Sequence, residues 1–223
     1  MARQRVRPEA GRTILQPVCE ILAVIAIPLA AVWVVPLLIH DRVMMGRTIG
    51  VLALAGLLAA VGINFHHQEG PRQIGFRLDN FWEAARPLLW FTAVGAAVLF
   101  SVGWSYGSIH LGRRFVNQLL TLPLWGIQQQ YGVQAIVNRR WQTVCGRGWH
   151  SILLTAAVFS ALHLPNPVLV AATFIAGLVW AAVYQRAPNL PALALSHGLL
   201  SAVLANSFPL WLLPNMKVGW GYW

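Results

Sequence analysis

The sequence predicts an all-α polytopic membrane protein, with about seven transmembrane helices (six to eight) gathered in one bundle. Two observations carry this. Hydrophobic residues make up 57% of the 223-residue chain and charged residues 10%, too little polar surface for a water-soluble globule. The apolar residues also recur in runs of about 20, the length a helix needs to cross a bilayer core. Two cysteines, Cys19 and Cys145, form neither a disulfide framework nor a metal-ligand spacing.

The spans are expected at 17–39, 48–65, 86–104, 117–137, 150–164, 166–185 and 189–206. The first follows a basic leader, residues 1–16, and superficially resembles a secretion signal. Its length exceeds the roughly 7 to 15 apolar residues of such signals, so it is expected to remain as an anchor. Glu20, one turn into it, is assigned no role. The longest polar stretch, HHQEGPRQIGFRLDNFWEAAR within 64–86, is expected to hold an interfacial helix carrying Phe81 and Trp82, with His66 and His67 solvated. Arg139 and Arg140 close the fourth span and are expected to snorkel to the membrane surface. The segment LPNP (164–167) suits a tight reversal, and Pro191 is placed to start the last span. Trp211, Trp220 and Trp223 give the tail an aromatic-belt composition. The chain is thus organised as a leader (1–16), amino-terminal helices with an interfacial linker (17–116), a core (117–206) and a tail (207–223).

The net charge of +10 raises nucleic-acid binding as a class, but the arginines are dispersed over several loops instead of lining one helix or groove, so no nucleic-acid partner is expected. Their distribution reads as topology. Arg3, Arg5, Arg7 and Arg12 of the leader, Arg72, Arg77 and Arg86, and Arg139, Arg140, Arg147 and Arg186 fall on alternate loops that would share one side. Basic residues favour the cytoplasmic side, so the amino terminus is expected there, with membrane lipids as partners.

Polar side chains at membrane depth are the clue to function. An unpaired amide in hydrocarbon costs roughly 2 to 7 kcal/mol, and polar groups kept there face a bundle interior or a water-filled cavity. Gln128, Gln129, Gln130 and Gln134 crowd the fourth span, and His163 and His197 stand alone in later apolar runs. Residues four apart share a helix face, which pairs Gln130 with Gln134, Phe159 with His163, and His197 with Ser201. Three polar faces meeting in one bundle would hold a water between amide oxygens and imidazoles. Adjacent-helix hydrogen bonding alone, at about 1 kcal/mol or less per bond, is the alternative for the glutamines.

In order and spacing these residues resemble the CAAX-protease and bacteriocin-processing (CPBP) intramembrane endopeptidases. The family's pattern is a Glu-Glu pair followed by three residues and Arg, then FxxxH on the next helix, then a His with Asn or a small residue four positions later. Here it reads Gln129, Gln130, three residues, Gln134; then Phe159 and His163; then His197 and Ser201. FIAGLVWAAVYQR, between the histidines, and IGFRL, before the third span, are similar to family segments as well. The resemblance implies peptide-bond hydrolysis of membrane-anchored or prenylated substrates in a bacterial plasma membrane. It assigns Gln129, Gln130, His163 and His197 to the catalytic positions and Gln134, Phe159 and Ser201 to the site lining.

The same resemblance exposes an altered site. Amides replace both glutamates and the arginine, and no Asp or Glu follows Glu83. Glutamine keeps an acceptor oxygen but takes no proton, and losing a positioned general base forfeits roughly 10² to 10⁴ in rate. Zinc, considered for the family, is poorly served by two histidines and amides, because catalytic zinc has three protein ligands. No metal ligand or cofactor is assigned. The alternative is a catalytically dead relative that binds peptide or lipid as a membrane scaffold or regulator; a small transporter ranks below both, lacking repeats and a titratable relay.

Overall fold

The computed structural model describes residues 14–223; most of the expected leader lies outside the described residues. Helices dominate: α1 (Leu15–Leu38), α2 (Arg42–His66), α3 (Phe81–Ser105), α4 (113–145), α5 (Trp149–Ala161), α6 (Pro167–Arg186) and α7 (Leu190–Ser207), with a 3₁₀ turn at Gly219–Tyr222. The chain is an all-α polytopic membrane protein. Five of these helices, α1, α2, α3, α6 and α7, are long and apolar enough to cross a membrane. The amides and arginines of α4 lower its hydropathy, and α5 has 13 residues.

Local chemistry starts and bends the helices. The Asp41 carboxylate accepts from the Met44 amide at 2.7 Å and caps α2. Asn166 and Asn189 do the same for α6 and α7, accepting from Leu169 and Ala192 at 3.1 and 2.9 Å, with Pro167 and Pro191 in the first turns. An Asn cap supplies the acceptor that the orphan amides need, and proline's missing N–H costs nothing there. Inside α1, Pro36 cannot donate to the Val32 carbonyl four residues back. The helix widens to a π turn at Ala30–Val34.

α7 is the centre of the bundle, while most side chains of α1, α2 and α3 look outward. Small residues let its neighbours close in, as in membrane helix packing generally. A Cβ on Gly198 would lie 2.6 Å from the Pro123 Cα of α4, and one on Gly126 would lie 2.9 Å from the Ala194 carbonyl oxygen. On the α3 side, a Cβ on Gly103 would lie 2.9 Å from the Ser207 side chain. α5 and α6 form a hairpin beside this trio.

Two ends can be distinguished. At the near end, where α1 begins, lie the 67–80 loop and the turns before α5 and α7. At the far end the tail folds back: Gly219, at φ +59°, sits so close to Val32 that a side chain would strike its carbonyl. The Gly219 amide donates to Leu164 at 2.8 Å, and Asn166 donates to the Lys217 carbonyl at 3.1 Å. Trp211, Trp220 and Trp223 are exposed, at 70%, 47% and 84%, in keeping with the aromatic-belt composition.

Three expectations about the near end require correction. Phe81 and Trp82 do not belong to a separate interfacial helix: they open α3 itself, where Glu83 in the first turn suits the positive helix terminus. Arg139 and Arg140 do not end their helix by snorkelling. The Arg140 side chain is 4% exposed and paired with Glu20 at 2.6 Å and Glu69 at 2.9 Å, while Arg139 reaches Glu69 at 2.6 Å. His67 is not a free loop residue, because its Nε2 lies 2.7 Å from Glu20. Glu20 therefore has a role. It joins α1 to α4 through a guanidinium that the loop carboxylate also holds.

Burial pushes the Glu69 carboxyl up, but hydrogen bonds and attraction from Arg140 and Arg139 outweigh it and hold the group below its ordinary value of 4.5. A depressed carboxylate contributes stability above its unfolded value and loses it as pH falls through the folded value. Thermal unfolding in detergent should show a midpoint that drops as pH is lowered below 4.5. Glu69→Gln should lower the midpoint at neutral pH by the equivalent of about 3 to 5 kcal/mol and weaken the acid limb.

Candidate active site

His163 lies two residues beyond α5, and its Nδ1 is 2.8 Å from the Phe159 carbonyl oxygen. A carbonyl only accepts, so Nδ1 carries the proton and Nε2 keeps its lone pair. His197, in α7 and 7% exposed, has Nδ1 3.2 Å from the Gln130 amide nitrogen. An NH₂ group only donates, so with the Gln130 amide in this orientation Nδ1 accepts and the proton is assigned to Nε2. The two imidazoles are therefore opposite tautomers. Phe159 packs edge-on to both, at 5.0 Å from His163 and 5.7 Å from His197 between ring centroids, and spaces them.

Gln130 is fully buried, and its Oε1 has no hydrogen-bond partner; neither has the buried Oε1 of Gln129. These are acceptor oxygens on α4 at positions 129 and 130, with one amide fastened to His197. The other two glutamines go elsewhere. Gln128 donates to the Ala53 carbonyl of α2 at 3.1 Å. Gln134 accepts from Asn138 at 2.8 Å instead of lying with Gln130 against a histidine. The reason is the winding of α4, which becomes a π-helix at Tyr131–Asn138; a π turn stacks residues five apart, so the four-residue face assumed from the sequence does not carry through.

Asn138 is the hub of an amide network that sequence reasoning missed. It donates to Gln134 and to the Ala181 carbonyl, and its Oδ1 accepts from Gln142 at 3.1 Å and Gln185 at 3.0 Å. Gln185 goes on to Ser151 at 2.9 Å. The network ties α4, α5 and α6 together below the histidines. Separately, Asn64 of α2 donates to the Tyr131 hydroxyl of α4 at 2.7 Å. Ser201 is half-buried one turn after His197; the hydroxyl wired into the site's surroundings is Ser196, which accepts from Trp180 Nε1 at 3.1 Å and lies 2.7 Å from Thr92 Oγ1. The only trace of Trp180 in the sequence is its register with Gly177 and Tyr184, three and four residues away on one face.

A metal does not fit this donor set. Among the described residues no three His, Cys, Asp or Glu side chains come together. The His197 Nδ1 is taken by Gln130, and neutral amides are weak zinc ligands. The carboxylates Glu20 and Glu69 are held by arginines at the near end. A surface pocket of about 240 Å³ opens there against Glu69, Arg139, Arg140, Gln142 and Thr143; its charges are mutually paired, and it is remote from the histidines in the fold.

Residues 113–203 match the family described as type II CAAX prenyl endopeptidase Rce1-like. This segment, about two-fifths of the chain, is similar to that CAAX-protease family. The matched segment runs from the start of α4 into α7 and contains Gln129, Gln130, Phe159, His163, Trp180, His197 and Ser201. No curated protein and no solved structure matches the chain. In the matched segment the polar groups around the two imidazoles are amides and hydroxyls.

Removing the hub of the amide network should loosen the domain without touching the histidines. Asn138→Leu leaves Gln134, Gln142 and Gln185 short of partners, at about 1 to 3 kcal/mol for each buried group left unpaired. The expected outcome is a lower unfolding temperature in micelles, with a smaller loss for Asn138→Asp, which keeps the acceptor for Gln185.

Proposed function

We propose that this protein is an intramembrane endopeptidase of the CAAX-protease type that works through histidines and amides, and that it cleaves membrane-anchored or prenylated peptides. The observation that carries this is the pair of opposite tautomers beside Phe159. His163 offers an Nε2 lone pair, a general base, and His197 offers an Nε2–H, a donor for the oxygen that becomes negative when a carbonyl is attacked. Water would give its proton to His163 as its oxygen adds to the peptide carbon. The proton then passes to the departing amine as the C–N bond breaks. The free oxygens of Gln129 and Gln130 are suited to accept the water's hydrogen bonds.

The glutamine at 130 matters to this scheme. A glutamate there would only accept, placing a proton on His197 Nδ1, so that Nε2 would carry one only in the charged ring. An amide supports the donor form that the oxyanion needs. The cost is the missing carboxylate base, roughly 10² to 10⁴ in rate, so turnover is expected to be slow.

A second reading rests on the absence of any acidic residue after Glu83: a member that binds peptide or lipid without cutting it. In either case the partners are membrane lipids and a membrane-borne peptide, not nucleic acid. The arginines of the near end, Arg72, Arg77, Arg139, Arg140, Arg147 and Arg186, support a cytoplasmic near end in a bacterial plasma membrane.

Purified protein in bilayers should cleave a prenylated reporter peptide, and His163→Ala or His197→Ala should abolish cleavage while the protein still inserts. The double change Gln129→Glu with Gln130→Glu separates the two readings. Cleavage by the wild type supports the endopeptidase. Cleavage only by the double variant, with binding by the wild type, sinks it and leaves the binding role.

A further inference from the structure

Trp180 lies outside the motif positions, yet it makes the most extensive ring contact in the site. Its indole is 3% exposed and lies face to face with His197, with centroids 4.7 Å apart and planes 30° from parallel. Phe159 meets it at 5.9 Å, and Phe91 of α3 stands edge-on at 6.4 Å. The edge of the indole is tied as well. Nε1–H donates to Ser196, the residue before His197, and Ser196 is hydrogen-bonded to Thr92 of α3.

These contacts restrict one particular motion. The Gln130 bond holds His197 Nδ1, but a ring held by one hydrogen bond is free to tilt about the line of that bond. A broad aromatic face laid on the ring removes the tilt, provided the face is itself immobile. Trp180 meets that condition, being wedged between Phe91 and Phe159 and bonded at its edge. Packing alone would not require that edge bond, since an aliphatic side chain fills volume without one. With Nδ1 and the ring plane both fixed, His197 Nε2 has a single direction.

We propose that Trp180 is a positioning residue that sets the plane of the His197 imidazole, and with it the direction of the Nε2–H. The proposal rests on the reading of His197 as part of the reactive site, but its structural half can be measured without any reaction. Ser196 and Thr92 extend the same support to α3, so with Gln130 of α4, Phe159 of α5 and Trp180 of α6 the imidazole is aligned by four helices in addition to its own.

The test uses the full chain in lipid nanodiscs with ¹⁵N-labelled histidine, the His197 signals being assigned with His197→Gln. The wild type should show one set of His197 ring signals with Nδ1 as the unprotonated nitrogen. Trp180→Phe keeps an aromatic face and should preserve that set. Trp180→Leu should give averaged or doubled His197 signals while those of His163 stay in place. On a cleaved peptide, Trp180→Leu should lower kcat by roughly tenfold to a hundredfold, with KM little changed and most of the rate restored in Trp180→Phe. Ser196→Ala, which deletes the acceptor of the indole N–H, carries the same comparison if Trp180→Leu does not fold. His197 signals unchanged in the leucine or alanine variant overturn the proposal. Altered signals in a protein whose wild type cleaves nothing leave the positioning role intact and refute the endopeptidase reading instead.

Discussion

Gly126 and Gly198 bring α4 and α7 to backbone contact, and the register this imposes delivers Gln130 to His197. Gln130 lies one turn beyond Gly126 on α4, and His197 directly precedes Gly198 on α7. A methyl group at either glycine would meet main-chain atoms of the opposite helix, which cannot swing aside as a flexible side chain can. The hydrogen bond between the amide and the imidazole therefore follows from a steric constraint one turn away. Within lipid, where apolar contact gives helices little reason to choose each other over acyl chains, such close approach is a main source of specificity.

Around that contact the polar groups are sorted by depth. Buried charge lies at the near end, where Arg140 is enclosed by two carboxylates from different parts of the chain. Below the histidines come neutral amides, which pair with one another through both donor and acceptor atoms. At the histidines the pairing is incomplete, since the oxygens of Gln129 and Gln130 have no partner. Unpaired acceptors in a low-dielectric interior are costly; the network beneath is more nearly satisfied, its unpaired group being the donor Gln134 Nε2 and not an acceptor.

Much of the fold was legible in the sequence, because bilayer thickness converts directly into the length of apolar runs and because prolines at 167 and 191 announce helix starts. The identities of Gln130, His163 and His197 were legible for a related reason: polar atoms in apolar runs are conspicuous. What was hidden depends on contacts between distant segments or on winding. Glu20, Glu69 and Arg140 look like unrelated interfacial residues until three elements meet. The separation of Gln134 from Gln130 follows from a π segment that no residue pattern marks. Trp180 was hidden by its own hydrophobicity, since a tryptophan in a membrane helix draws no notice without its partner ring.

The fold-back of the tail onto α1 bears on the site as well. α1 precedes the other described helices in the chain, yet its Val32 carbonyl packs against Gly219, which follows α7. The same glycine fastens the turn that follows His163. One residue of the tail thus bears on two places far apart in sequence, the middle of α1 and the turn carrying His163. The turn carrying His163 therefore depends on a residue beyond α7 for a backbone hydrogen bond, so shortening the tail would reach the site without altering any residue within it.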